Sequence, residues 1–336
     1  MVRLRHVAPD RPGWSRRRRG AGFSYVDVDG RVLGAEDVAR CKALVIPPAW
    51  ADVWICPAPN GHIQAVGTDE AGRRQYLYHP VWREQRDKVK HDRVLEVATR
   101  LPRARRTVRE HIALPGMPRE RALGTAFRLL DLGFFRVGGE HYAEENGSFG
   151  LATIAKRDVT VKGDEVVFEY VAKSHQERLV AVADAAVRDA VCDLRRRRGG
   201  GDELLAYRDG SRWRDVTSDD INRYVKDVVG GDVSAKDFRT WHGTVLAAVA
   251  LAGAEARAAS PTRRKRAVRE AMVEVSQYLG NTPSVARGSY VDPRLVDLYA
   301  EGRTIAPTLR RLGTADRDLD DTREVIERAV LRLLRR

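Results

Sequence analysis

Two kinds of hydrophobic pattern divide the chain. Between residues 22 and 78, polar and apolar residues alternate in short runs separated by turn residues, a spacing typical of half-buried β-strands. From residue 92 onward, most apolar residues recur every three or four positions, which is the period of an amphipathic helix. The pattern therefore predicts an α+β chain with a small β-rich domain at residues 1–90 and a larger, mainly helical domain at residues 91–336.

The first domain is predicted to hold four strands, at residues 23–28, 53–55, 63–66 and 72–78. In the last of these, the alternation places Gln75 and Leu77 on one face and Tyr76 and Tyr78 on the other. Residues 1–20 lack such a pattern and are predicted to form a loop. Its four consecutive arginines, 16–19, either stay solvated or contact phosphate.

A charged, helix-compatible stretch at residues 82–92 connects the two predicted domains. The second domain is predicted to contain helices at residues 92–101, 106–114, 118–132, 177–198, 217–229, 234–251, 267–279, 292–300 and 318–336. Strands are predicted at residues 151–154, 159–161 and 166–171, with a turn between the last two. The second domain is therefore helical except for one β-hairpin region.

Capping residues predict a break in the helices near residue 280. Gly280 follows an apolar-periodic run and is suited to end a helix, while Thr282 and Pro283 are suited to begin the next one. Tyr290 then stands at the far end of a short helix, where a hydroxyl can face a cleft. Ser234 and Asp237 form a capping box that puts Arg239 in the first turns of another helix, where phosphate is favoured.

Charge indicates the class of partner. The 336 residues carry a formal net charge of +13, which predicts a polyanionic partner, first nucleic acid and second an anionic membrane surface. No run approaches the roughly 20 apolar residues that cross a bilayer, and no apolar signal core follows the N-terminus. We therefore expect a soluble, cytoplasmic, nucleoid-associated protein without a membrane partner.

Neither a cofactor nor a disulfide framework is predicted. The three cysteines are far apart without a C-x-x-C pair, and the eight histidines lack metal-ligand spacing. No phosphate-binding G-x-x-x-x-G-K-[ST] loop occurs either. The expected chemistry therefore uses neither ATP nor a dedicated metal ion.

Four short motifs occur in a fixed order in the second domain: F-F-R-V-G with Arg136, Y-V-A-K with Lys173, K-D-F-R-T-W with Arg239, and L-G-N with Asn281, followed after nine residues by Tyr290. Their order resembles that of the tyrosine recombinases and type IB DNA topoisomerases, in which a histidine stands at the position of Asn281. The K-D-F-R-T-W segment is similar to that of the poxvirus-type topoisomerases rather than to the recombinases.

A fifth motif lies in the first domain. The run G-R-R-Q-Y-L-Y, residues 72–78, resembles a DNA-contacting segment of the poxvirus-type topoisomerases that recombinases lack. This resemblance implies DNA contacts by five residues: Arg73, Arg74, Gln75, Tyr76 and Tyr78. With the catalytic motifs, it makes the chain most similar to the bacterial, poxvirus-like type IB topoisomerases.

The resemblance implies a complete reaction. Tyr290 would attack a phosphodiester while Arg136, Arg239 and Asn281 stabilise its non-bridging oxygens, and Lys173 would protonate the leaving 5′ oxygen. A 3′-phosphotyrosyl intermediate, strand rotation and religation would relax supercoils of either sign without ATP or metal. The resemblance further implies a monomer whose two domains form a C-shaped clamp on double-stranded DNA.

Two other functions remain open at this point. A site-specific tyrosine recombinase would share the chemistry, although Lys236 stands where recombinases have a histidine and no helical core-binding domain precedes the motifs. A DNA-binding architectural protein would explain the charge but not the ordered motifs. His242, three residues after Arg239 on the same helix face, either reaches the site or packs in the core.

Overall fold

The computed structural model describes residues 2–133, 135–140, 143, 147–173, 175–254, 260–313 and 320–335. Two compact units, Met1–Lys90 and His91–Arg336, contain these residues, and each has its own hydrophobic core. Among the described residues, no helix combines the length and the apolar character needed to cross a bilayer. Phe134, which belongs to the F-F-R-V-G motif, lies outside the described residues.

The first unit is built on a five-stranded antiparallel sheet. Its strands are β1 (Trp14–Arg19), β2 (Gly22–Val26), β3 (Ala51–Ile55), β4 (Ile63–Thr68) and β5 (Arg74–Tyr78), in the order β2-β1-β3-β4-β5. One helix, α1 (Ala35–Ala43), contributes the buried Cys41 to the core beneath the sheet. The β-rich character predicted for this part of the chain is confirmed.

The prediction of a loop over residues 1–20 was wrong, because residues 14–19 form β1. Arg16 is part of the packing: its guanidinium donates to the carbonyls of Ile46 (2.9 Å), Pro47 (2.9 Å) and Trp50 (2.7 Å). It also lies 4.1 Å from the centre of the Phe23 ring. A run of arginines conceals the strand pattern because the inward-facing residue is itself an arginine, whose donors are satisfied by carbonyls.

The second unit is mainly helical. In chain order its helices are α2 (Pro80–Ile112, whose first residues belong to the first unit), α3 (Arg119–Gly133), α4 (Ala185–Arg196), α5 (Ser218–Val229), α6 (Ala235–Gly253), α7 (Pro261–Leu279), α8 (Pro283–Ser289), α9 (Arg294–Ala300), α10 (Ala306–Leu312) and α11 (Asp320–Leu334). A three-stranded antiparallel sheet contains β6 (Val159–Lys162), β7 (Glu165–Ala172) and β8 (Gln176–Ala183), and β9 (Ala206–Asp209) pairs with β10 (Arg212–Asp215). The predicted α+β class is confirmed.

Two helices predicted on either side of residue 102 are one helix, α2, which continues through Pro102. A proline inside a helix removes one hydrogen bond and costs roughly 3 kcal/mol. Leu101, Ala104 and Val108 are all buried in the core of the second unit, so the packing of this face offsets that cost. Tertiary contacts, which local propensity does not register, therefore decide the length of the helix.

The predicted helix at residues 177–198 was wrong over its first part, which forms β8. All eight residues of β8 pair with β7, from Glu165↔Ala183 to Ala172↔Gln176. Only then does α4 begin, capped by the Asp184 side chain, which accepts from the Val187 amide at 2.9 Å. The strand predicted at residues 151–154 is a turn with buried apolar side chains, and β9, β10, α1 and α10 were not predicted.

A buried cluster of charges connects the helices of the second unit. The Arg105 guanidinium of α2 donates to both carboxylate oxygens of Asp131 on α3 (both 2.9 Å) and to both of Glu327 on α11 (2.7 and 2.8 Å). Burial alone would raise the pKa of Asp131, but Arg105 and then Arg323 lower it well below its usual range. His242 Nε2 lies 3.3 Å from Asp131, so this histidine packs within the buried cluster.

We expect Arg105→Met to destabilise the protein strongly, because the substitution leaves buried carboxylates without their main counter-charge. Breaking a buried ion pair by removing one partner costs about 3–5 kcal/mol, which urea unfolding of the second unit would measure. The matched control is Arg106→Met on the exposed side of the same helix, which should change the unfolding free energy by less than about 0.5 kcal/mol. Equal stability of the two variants would contradict the prediction.

Candidate functional site

Local caps position the tyrosine segment as the sequence predicts. Gly280 ends α7 in the left-handed conformation at φ +59°, which glycine adopts without a steric cost. The Thr282 side chain accepts from the Val285 amide (3.3 Å) at the start of α8. Tyr290 follows α8 directly, and its amide donates to the Ala286 carbonyl at 3.0 Å. Tyr290 therefore stands at a fixed distance from the end of α7.

The backbone of Tyr290 packs closely on α6. The Thr244 hydroxyl contacts the Tyr290 carbonyl at 3.2 Å and accepts from the Asp292 amide at 3.1 Å. A Cβ atom at Gly243 would lie only 3.3 Å from Tyr290 Cβ. Because glycine and threonine occupy this part of α6, the tyrosine backbone can lie directly against the helix that also carries Arg239.

Arg239 lies beneath the tyrosine ring. Its guanidinium carbon is 5.2 Å from the centre of the Tyr290 ring, and Nη2 donates to the Leu279 carbonyl at 2.5 Å. The predicted capping box holds its helix, since Asp237 Oδ2 accepts from the amide and the hydroxyl of Ser234. Burial, followed by the nearby Arg136, lowers the pKa of Arg239 to about 10, so it stays protonated at neutral pH.

Arg136 reaches the same turn from the segment after α3, donating from Nη2 to the Gly280 carbonyl at 3.2 Å. That segment is held by a hydrogen bond from the Leu151 amide to the Arg136 carbonyl (2.9 Å). It is also held by close backbone contact, because a Cβ atom at Gly138 would lie 2.8 Å from Gly150 Cα. Two arginines from distant parts of the chain therefore meet at successive carbonyls.

These charges change the acidity of Tyr290. Burial alone would raise the pKa of its hydroxyl, but the charge and hydrogen bond of Arg239, followed by the charges of Arg136 and Lys236, lower that pKa overall. A lower pKa increases the fraction of phenolate, the nucleophilic form of a tyrosine. The arrangement is therefore suited to activate Tyr290.

The Asn281 side chain lies in the turn with both polar atoms buried. Its amide nitrogen and carbonyl oxygen have no hydrogen-bond partner among the residues that the structure describes. An unsatisfied buried polar group costs about 1–3 kcal/mol, which a ligand with complementary atoms would relieve. Asn281 follows Leu279 and Gly280, the two residues whose carbonyls Arg239 and Arg136 contact.

Lys173 stands at the tip of the hairpin between β7 and β8, next to the last register pair, Ala172↔Gln176, and its side chain is exposed. The sequence predicted a strand at residues 166–171 but a helix from residue 177, so the hairpin that carries Lys173 is a finding of the structure. The contacts above bring together Arg136, Arg239, Tyr290 and the turn that carries Asn281, whereas Lys173 occupies the hairpin. In the part of the chain that the structure describes, no group of three or more His, Cys, Asp or Glu residues forms a metal site.

Arg178 also reaches this site, although the sequence did not indicate it. Its Nη1 donates to the Gln277 carbonyl (2.9 Å) and its Nη2 to the Tyr278 carbonyl (2.7 Å), both in the last turn of α7. The residue escaped notice because its segment was predicted as a helix. The apolar, valine-containing run at residues 179–183 was the available signal for a strand, and the pairing of that strand places residue 178 beside Tyr170.

The candidate DNA-contacting strand β5 is the edge of the first unit's sheet. Arg74, Tyr76 and Tyr78 are exposed on one face, where the two tyrosine rings stack with centres 6.0 Å apart. Gln75 points to the other face and donates to Asp69 at 2.8 Å. Asp69 also forms an ion pair with Arg73 at 2.9 Å, and the hydrogen bonds from Arg73 lower its pKa to about 2. The five predicted contacts therefore divide between two faces.

The chain is similar to known DNA topoisomerases. A family model described as the catalytic core of eukaryotic DNA topoisomerase I matches residues 79–301, and a model of the bacterial DNA topoisomerase IB N-terminal domain matches residues 22–69. DNA topoisomerase 1B of Acanthamoeba polyphaga mimivirus is 28% identical over 296 residues, 85% of this chain and 87% of the viral protein. DNA topoisomerase 1B of vaccinia virus strain Copenhagen is 28% identical over 109 residues, 32% of this chain and 34% of its own length.

The catalytic-core model alone spans well over half of the chain and includes every residue that forms the turn at the end of α7. The matched bacterial N-terminal model covers most of the sheet of the first unit. On these matches, the chain belongs to the type IB DNA topoisomerase family.

Proposed function

We propose that Tyr290 cleaves one strand of double-stranded DNA and rejoins it, relaxing supercoils of either sign. Membership of the family makes DNA the substrate. The observation that carries the proposed mechanism is the pair of arginines, Arg136 and Arg239, that lowers the pKa of Tyr290. Such a pair can stabilise a charged phosphoryl transition state without a metal ion, because guanidinium groups stay protonated and form bidentate hydrogen bonds.

In the first step, a backbone phosphate enters beside the turn at residues 279–281. Arg136 and Arg239 bind its non-bridging oxygens, while the Asn281 amide, which has a buried nitrogen donor, gives one neutral hydrogen bond. Asn281 carries no charge where the resembling enzymes have a histidine. The arginines therefore supply the positive charge at this point.

In the second step, the Tyr290 phenolate attacks the phosphorus in line. The bond from the tyrosine oxygen to phosphorus forms as the bond from phosphorus to the 5′ oxygen breaks. Lys173 gives its Nζ proton to the departing 5′ oxygen, which is too basic to leave as an alkoxide. The products are a 3′-phosphotyrosyl strand and a free 5′-hydroxyl strand.

Religation is the reverse of cleavage. The 5′ hydroxyl returns its proton to Lys173 and attacks the phosphotyrosine, so one phosphodiester replaces another and no ATP is consumed. While the strand is open, torsion rotates the free end about the intact strand. The monomeric state and the clamp stay predictions of the family resemblance.

We expect Tyr290→Phe to abolish both plasmid relaxation and covalent attachment to DNA while duplex binding remains. Relaxation is measured in EDTA without ATP, and attachment is measured with duplexes labelled at either end of the cleaved strand. Only the 5′-labelled strand should become linked to the wild-type protein, because the bond is to a 3′ phosphate. Tyr278→Phe is the matched control, since its exposed side chain lies outside the proposed chemistry. Activity in Tyr290→Phe would disprove the assignment of the nucleophile.

The pH dependence of cleavage should report the lowered pKa of Tyr290. The single-turnover rate of covalent complex formation should rise with pH and level off below about pH 10, the usual pKa of tyrosine. Arg239→Met removes the charge that lowers this pKa most, so burial would dominate and the pKa would rise. The rising limb should then move to higher pH while the plateau rate also falls. An unshifted limb in Arg239→Met would show that Arg239 does not control ionisation of Tyr290.

The two kinds of residue on the exposed face of β5 should affect DNA binding differently. Arg74→Ala should reduce the slope of log K against log salt concentration by about 1, because one phosphate contact is lost. The double variant Tyr76→Ala, Tyr78→Ala should weaken binding at every salt concentration without a change of slope. Fluorescence anisotropy with a labelled duplex measures both effects. Val45→Ala, at an exposed site of the same unit, is the control, and identical slopes for all three variants would contradict the assignment.

A further inference from the structure

Arg178 joins two parts of the proposed catalytic site that are far apart in sequence. It lies on β8, within the hairpin that carries Lys173, and both of its terminal nitrogens donate to carbonyls of the last turn of α7. That turn leads directly to Gly280 and Asn281, and then through α8 to Tyr290. Arg178 therefore connects the hairpin of the proposed general acid to the segment of the proposed nucleophile.

The contact is close. A Cβ atom at Gly280 would lie 2.8 Å from Arg178 Nη1 and 2.9 Å from its guanidinium carbon, so the guanidinium packs closely against the backbone of the turn. The carbonyl end of α7 also carries the negative end of the helix dipole, which favours a cation. The anchor thus combines two hydrogen bonds, close packing and an electrostatic preference.

The strand register of the hairpin gives the distance from Arg178 to the hairpin tip. Arg178 pairs with Tyr170, two pairs before the last register pair, Ala172↔Gln176, which corresponds to about 7 Å along the strands. Tyr170 packs on Phe135, with ring centres 6.0 Å apart, and Phe135 immediately precedes Arg136. Burial raises the pKa of Tyr170 despite the nearby charges of Arg178, Arg239 and Arg136, so its hydroxyl stays neutral.

We propose that Arg178 is a positioning residue that holds the Lys173 hairpin against the end of α7, so that Lys173 reaches the leaving 5′ oxygen. The inference rests on the proposed function, since it requires Lys173 to be the general acid. Arg178 acts through Lys173 and not on the phosphate, because both of its terminal nitrogens donate to main-chain carbonyls, whereas Arg136 and Arg239 each donate to the turn through one terminal nitrogen. Without this anchor the hairpin tip would occupy a wider range of positions relative to Tyr290.

The experiment measures single-turnover cleavage of two duplexes at one site, which is first mapped with the wild-type protein. One duplex has the ordinary 5′ oxygen at the cleaved bond, and the other has a bridging sulfur. A thiol has a pKa near 8.5, so the sulfur leaves as a thiolate without a general acid. A variant that has lost only protonation of the leaving group should therefore recover on the sulfur duplex.

On the oxygen duplex, we expect Arg178→Ala to cleave about 10 to 100 times more slowly than wild type, as expected for a small displacement of a catalytic group. On the sulfur duplex it should approach the wild-type rate, as should Lys173→Ala. Arg178→Lys, which keeps the charge and can still reach one carbonyl, should lie between wild type and Arg178→Ala on the oxygen duplex. Arg188→Ala, at another arginine of this unit, should match wild type on both substrates.

Several results would overturn the inference. If Arg178→Ala and Arg178→Lys stay slow on the sulfur duplex, Arg178 acts on the phosphate or on folding. A wild-type rate of Arg178→Ala on the oxygen duplex would show that no anchor is needed. Different results would contradict the proposed function: the wild-type protein would cleave neither duplex, or Lys173→Ala would not recover its cleavage rate on the sulfur duplex. Recovery of Lys173→Ala without recovery of Arg178→Ala would remove the positioning role alone.

Discussion

The carbonyl end of α7 is the feature on which the site depends. Four successive carbonyls, from residue 277 to residue 280, accept hydrogen bonds from Arg178, Arg239 and Arg136, which come from a strand, a helix and a connecting segment. Guanidinium groups this close repel one another, and the charge of Arg136 adds to the effect of burial in lowering the pKa of Arg239. The carbonyl acceptors at the end of the helix and the negative end of the helix dipole offset that repulsion. The helix terminus therefore gathers positive charge beside Tyr290.

This arrangement relates the site to the chemistry of the family. A type IB DNA topoisomerase exchanges one phosphodiester for another, so its active site has to stabilise charge rather than supply energy. Positive groups that are already assembled need no reorganisation when the phosphate arrives. In the described structure they are held by main-chain carbonyls, which a phosphate can replace as acceptor. The uncharged Asn281 in the same turn leaves the positive charge to the arginines.

A second electrostatic cluster supports the first from within the core. Arg105, Asp131 and Glu327 join α2, α3 and α11, and His242 brings α6 into contact with Asp131. His242 lies less than one helical turn after Arg239, so the cluster helps to fix the helix that carries this arginine. Buried ion pairs contribute little net stability compared with apolar packing, but they permit few alternative arrangements. In this unit they join α2, α3, α6 and α11.

The sequence by itself determined the local features of this protein: the ordered motifs, the helix ends at Gly280 and Thr282, the capping box of α6 and the alternation of β5. Each of these depends on atoms within about four residues along the chain, which a sequence pattern contains. Only the tertiary structure decided that Arg16 lies in a strand, that α2 continues through Pro102, that residues 176–183 form β8, and that Arg178 reaches α7. These features depend on partners in other elements of the fold, whose packing and hydrogen bonds outweigh the local preference of the chain.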